Sequence, residues 1–104
     1  MILRQHRRAE AEFRGALAWY REESVEVAIR FHAAVLETLN KIESDPERFS
    51  VLETLGEATH IRRARVMGFP YVVIFELLEA ELFVFAIAHT SRRPGYWRRR
   101  KRQV

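Results

Sequence analysis

The side chains able to do chemistry in this chain are mostly cationic or aromatic. Arg62, Arg63 and Arg65 fall within four positions, and His89 is followed by Arg92, Arg93, Tyr96 and Trp97, then by Arg98, Arg99 and Arg100. Guanidinium forks match phosphate oxygens, and Tyr or Trp rings stack on unpaired bases, the pairing used to hold single-stranded nucleic acid. Metal-free RNA cleavage needs a 2′-hydroxyl deprotonated, charge on the phosphorane stabilised and the leaving oxygen protonated. Arg65, Arg92 or Arg93 would stabilise that charge, and His89 or Tyr96 would move the proton. The structural alternative is that Tyr96 and Trp97 fold back over a core while His89 merely ends a strand.

Other chemistries find little support. His6, His32, His60 and His89 have no paired ligand spacing and the chain has no cysteine, so no metal and no cofactor is expected. Its 4 glycines are scattered and make no phosphate loop. Ser91 follows His89 closely, but neighbours in sequence do not make a triad. No window approaches the ~20 apolar residues of a membrane span, and the apolar run at the N-terminus is too short for a signal peptide. The absence of cysteine fits a reducing cytosol, so a cytoplasmic location is expected.

Charge is unevenly placed. The net charge is +4, yet residues 92–102 hold seven basic residues and no acid, which leaves eleven basic and fourteen acidic residues, a charge of −3, for the rest. A mildly acidic body with a basic tail over about 98–104 points to a polyanion or an acidic protein as partner. The tail lacks an apolar stripe, which argues against a membrane surface.

With 48% hydrophobic and 31% charged residues in 104, the composition is globular and the length suits one domain over 1–104. Apolar residues at Ala9, Phe13, Ala16, Leu17 and Tyr20 recur at helical spacing and predict a helix over 8–22, without a good N-cap. Trp19 widens its apolar face. Ser24 caps a second helix over 25–43, with Ala28, Phe31, Val35, Leu39 and Ile42 on its inner face. The short connection makes an antiparallel hairpin, and Pro46 follows the second helix. Residues 51–59 read as loop.

Three strands follow. In the first, 61–67, Arg63 and Arg65 share a face that must be open, because an unpaired guanidinium cannot be buried. Strands 71–78 and 82–89 are near-continuous apolar runs, so both should be buried on two faces. Residues 1–5 are a candidate edge strand. The fold class is α+β: an N-terminal helical hairpin packed on a small antiparallel sheet of three to four strands.

Taken in order, Ala9, Glu12, Phe13, Ala16, Trp19 and Tyr20, then Arg30-Phe31, Ile42 and Pro46-Glu47-Arg48-Phe49, form a recognisable series. It continues through Ile61-Arg62-Arg63, Phe69-Pro70-Tyr71, Ala88-His89 and Arg92-Arg93-Pro94-Gly95-Tyr96-Trp97 to Arg100. This series resembles the RelE/ParE superfamily of toxins from type II toxin–antitoxin modules, in particular its ParE-like plasmid stabilisation members. The resemblance implies a growth-inhibiting cytoplasmic toxin, neutralised in a hetero-oligomer by an acidic, amphipathic antitoxin segment lying along the hairpin or the sheet edge. Phe13, Leu17, Trp19 and Tyr20 are the candidate antitoxin contacts. Members similar to ParE inhibit DNA gyrase; members similar to RelE cleave mRNA on the ribosome and carry an arginine after the tyrosine that opens the central strand. Here Val72 follows Tyr71, which favours a gyrase-type target. In that case Arg62, Arg63, Arg65, Arg92, Arg93, Tyr96, Trp97, Arg98, Arg99 and Arg100 are target-binding candidates. The alternatives are an mRNA endoribonuclease with Arg65, His89, Arg92, Arg93 and Tyr96 as its catalytic set, and a degenerate toxin that only binds its antitoxin.

Overall fold

The computed structural model describes residues 2–52 and 60–100. In chain order these form β1 (Ile2–Gln5), α1 (Arg7–Glu23), α2 (Val25–Ser44), a single 3-10 turn (Pro46–Arg48), β2 (Ile61–Arg65), β3 (Tyr71–Leu77) and β4 (Glu81–His89). The sheet order is β1-β4-β3-β2. Strands β2, β3 and β4 run antiparallel in sequence, whereas β1 lies parallel to β4. The expected hairpin on a segregated sheet is present. The sheet itself is mixed rather than wholly antiparallel, because the chain leaves β1 into the helices before returning to the sheet.

Each helix starts on a side-chain cap. His6 supplies the cap that no Ser, Thr or Asp provides for α1: its Nδ1 accepts from the Arg8 N–H at 3.0 Å. Its own N–H donates to the Val84 carbonyl at 2.8 Å, so one residue closes the β1–β4 ladder and opens the helix. Ser24 acts twice. Its backbone N–H ends α1 on the Tyr20 carbonyl, and its hydroxyl accepts from Val27 N–H to start α2. Its extended backbone (φ −168°) reverses the chain in one residue, hence the tight hairpin.

Phe31, fully buried at the centre of the hairpin face, meets Phe13, Tyr20, Phe69 and Tyr71 with ring centroids 4.9–5.9 Å apart. This cluster joins Val73, Phe75, Leu82, Val84 and Ile87 on the helix side of the sheet. Val72, Ile74, Phe83, Phe85, Ala86 and Ala88 face the other way, where Trp97 covers them. Both central strands are therefore buried on two faces, as their apolar runs imply. The pairing slips between Ile74 and Phe75, opposite Ala86 and Val84, leaving Phe85 as the extra residue of a bulge. After β2 the chain turns through Gly68, whose φ of +87° favours glycine. Within the expected loop over 51–59, Val51 bridges to Arg62; its residues 53–59 lie outside the described residues. No helix among the described residues is long and apolar enough to cross a membrane.

Two outcomes follow. Phe31→Ala removes the ring on which four others pack and should cost about 3–5 kcal/mol of unfolding free energy, read by urea denaturation. The His6 imidazole is held below its ordinary pKa of 6.5, first by burial and then by Arg100, Arg7 and Arg8. Below pH 6.5 the unfolded chain therefore takes up the proton more readily, and stability falls as pH drops through that region. His6→Asn, which keeps a cap but cannot titrate, should flatten the decline that sets in as pH drops below 6.5.

Candidate functional site

Beyond His89 the chain folds back on β4 through consecutive tight turns: Arg92 N–H donates to His89, Tyr96 to Arg93, Arg98 to Gly95 and Arg100 to Trp97 carbonyls. Gly95 has φ +75°, and a Cβ there would sit 2.6 Å from Arg98 Nε. The backbone here favours glycine, and a Cβ would make the exposed Arg98 side chain move aside. Trp97, 5% exposed, packs on Phe85 with centroids 5.9 Å apart. The structural alternative for this ring is the one realised, and its faces are not presented for stacking on a base.

The segment is anchored by Glu12 of α1. Strand β1 pairs with β4 only as far as Val84, so the backbone just beyond it needs other partners. Glu12 Oε1 accepts from the Ile87 N–H at 3.0 Å, and the Arg100 guanidinium donates to the Phe85 carbonyl at 2.9 Å. Arg100 also forks onto both Glu12 oxygens at 2.9 and 2.8 Å, and the Tyr96 hydroxyl donates to Glu12 Oε2 at 2.6 Å. Glu12 reads in sequence as one more charge on the outer face of a helix; a carboxylate one turn from the apolar stripe is a weak signal for so central a group. The Tyr96 pKa is raised far above its ordinary 10, by burial first and then by the bond to Glu12.

Between this segment and the sheet lies a cleft of about 320 Å³. Its apolar floor is Val72, Ile74 and Ala88; Arg63, Arg92, Arg93 and Arg98 stand around it with His89, and none of the lining residues is acidic. Arg63, Arg93 and Arg98 are exposed, while the exposed Arg92 places its guanidinium 3.8 Å from the centre of the Tyr96 ring. His89 Nδ1 accepts from the Ser91 N–H at 3.0 Å, which in the neutral ring places the proton on Nε2. The geometry suits an anionic group with an apolar neighbour.

The sequence-predicted residues divide cleanly. Arg63, His89, Arg92, Arg93, Tyr96, Trp97 and Arg98 come together at the cleft. Arg65 is exposed further along β2 and lines a different groove. Arg99 is exposed. Arg62 and Arg100 are structural: Arg62 lies on the opposite face from Arg63 and donates to the Glu47 and Phe49 carbonyls at 3.2 and 2.7 Å. Of the hairpin candidates, Phe13, Leu17 and Tyr20 pack against the core, and only Trp19 is largely exposed, at 59%. Among the described residues no group of three or more His, Asp or Glu could hold a metal ion.

Removing the charge on Glu12 tests the anchor. Glu12→Gln leaves a largely buried guanidinium uncompensated and should lower stability by about 3–5 kcal/mol in urea denaturation. Tyr96 adds a pH signature. The unfolded tyrosine ionises near 10 while the folded one keeps its proton, so stability present below pH 10 is lost as pH rises above it. Tyr96→Phe should shrink that alkaline loss, followed by absorbance at 295 nm beside circular dichroism.

Comparison with known proteins bears on the same surface. The family of ParE toxins of the type II toxin-antitoxin system parDE matches residues 3–94, a span that includes Arg63, His89, Arg92 and Arg93. Among solved structures, a chain of the chromosomal ParDE TA system from P. aeruginosa is similar with a TM-score of 0.68 and 16% identity. The match covers 86% of this chain and 95% of that one. At such identity the likeness speaks for the fold. No curated protein matches the chain. Over nearly all of its length, then, from the strand that opens the fold to the arginines that rim the cleft, this chain belongs to the ParE toxin family of type II toxin–antitoxin systems.

Proposed function

We propose that this toxin acts by occupying its target rather than by cutting RNA, with the basic cleft as the contact surface and DNA gyrase as the target. The observation that carries this reading is the state of Tyr96. Its hydroxyl donates to Glu12 at 2.6 Å, in a partly buried setting that keeps the proton in place. A group so held is a poor acid or base at neutral pH. The other proton carrier, His89, has Nδ1 occupied by Ser91, and Val72 stands in the cleft floor where an arginine would serve a cleaving enzyme. What remains, four arginines over an apolar floor, is suited to binding. Electrostatic steering toward an acidic surface would come from Arg63, Arg92, Arg93 and Arg98, with Arg99 nearby in sequence.

As a type II toxin the chain has an antitoxin for partner. An acidic, amphipathic segment that covers exposed apolar side chains and neutralises these arginines would inactivate it in the cytoplasm as a hetero-oligomer. Purified toxin should inhibit supercoiling by gyrase, and Arg92→Glu with Arg93→Glu should weaken inhibition at least about tenfold. Unchanged supercoiling at saturating toxin would exclude gyrase. Cut messages in cells expressing the toxin alone, lost in Tyr96→Phe, would replace binding by cleavage.

A further inference from the structure

Two arginines approach the Tyr96 ring and are held in opposite ways. The guanidinium carbon of Arg92 lies 3.8 Å from the ring centre and that of Arg100 lies 5.0 Å from it. Arg100 spends its donors inside the fold, on both Glu12 oxygens and on the Phe85 carbonyl. Arg92 spends none. Its backbone N–H is set in a turn on the His89 carbonyl at 3.0 Å, but among the described residues its guanidinium has neither a hydrogen bond nor an ion pair.

The difference matters for binding. A carboxylate that orders an arginine also cancels its charge and occupies its N–H groups. A ring takes the flat face instead and leaves the N–H groups, which lie in the guanidinium plane, open to a partner. The ring under Arg92 is itself fixed. Its hydroxyl donates to Glu12 at 2.6 Å, and Trp97, next in the chain, is packed on Phe85. Donation to a carboxylate also pushes electron density toward the phenol ring, whose face the cation meets. Arg63, Arg93 and Arg98 rim the same cleft, and among the described residues none of them lies over a ring. An arginine free in water loses rotamer freedom when a partner fixes it, whereas one already laid on a ring has little left to lose.

We propose that Tyr96 is a positioning residue: its ring, held by Glu12, fixes Arg92 over the cleft before the target arrives, so that Arg92 meets a carboxylate of the target with both prongs of its fork. The role requires no proton to leave Tyr96. It rests on the reading of the cleft as the surface that binds gyrase.

The test is a double-mutant cycle on gyrase binding with the full chain. Tyr96→Leu should weaken binding at least about fivefold, while Tyr96→Phe, which keeps the ring, should stay within about twofold of the parent. In an Arg92→Gln background the same Tyr96→Leu change should cost less than about twofold, because no guanidinium is left to hold. A Tyr96 that merely keeps the segment folded would displace Arg93 and Arg98 as well, and its loss would cost the same in both backgrounds. Equal losses overturn the proposal. Nuclear magnetic resonance of the parent chain alone decides the point without any variant: the Arg92 Nε–H should be ordered and shifted upfield by the Tyr96 ring current, unlike that of Arg93. An Arg92 signal as mobile as that of Arg93 overturns the proposal as well. A parent chain that fails to bind gyrase overturns the proposed function and this inference with it, whereas a parent that binds, with equal losses in the cycle, overturns this inference alone.

Discussion

The carboxylate of Glu12 accepts the Ile87 N–H, the Tyr96 hydroxyl and both forks of Arg100, and each donor belongs to a segment that would otherwise lack a partner beside α1. The need arises from the shortness of β1, which leaves the β1-side edge of β4 without a strand partner beyond Val84, while its other edge stays paired with β3. In a dry setting an open strand edge must find hydrogen bonds from somewhere. Here side chains of one helix and of the returning chain supply them. Trp97 is thereby pressed onto Phe85, and the far face of the sheet acquires a roof. The cleft exists because that roof stops short of β2.

This arrangement sorts the arginines into two kinds. Arg62 and Arg100 donate to backbone carbonyls and hold the chain in place. Arg63, Arg65, Arg93, Arg98 and Arg99 are left in water. Adjacent arginines on β2 divide by strand parity alone, since Arg62 faces the helices and Arg63 faces away. A positive surface assembled on rigid strands and tight turns loses little side-chain freedom when it meets a partner, which favours affinity over adaptability.

Most of the scaffold is legible in the residue order. The apolar spacing of α1 and α2, Ser24 as cap, the paired apolar runs of β3 and β4 and the open face of Arg63 and Arg65 all follow from local pattern. The cap on α1 escapes such reading because histidine is an uncommon cap, and its role depends on burial against Phe83 and on the Val84 carbonyl. Glu12 escapes for a deeper reason. Its partners lie 75 to 88 positions away, and no local window reveals a tertiary hydrogen bond. Trp97 and Arg100 were ambiguous on the same ground: an aromatic and a cation near a basic tail read equally as contact surface or as cover. Phe13 and Tyr20 carry apolar character that suits a partner as well as a core, and only the position of Phe31 decides between them.

The distance between Glu12 and Arg100 along the chain also has a kinetic side. A contact that closes a loop of 88 positions carries a larger entropic cost than the turns and helix caps around it. Contacts of that span form late, once the hairpin and the β3–β4 pair are in place. The basic cleft is thus expected to be the last region of the molecule to mature, after the scaffold that carries it.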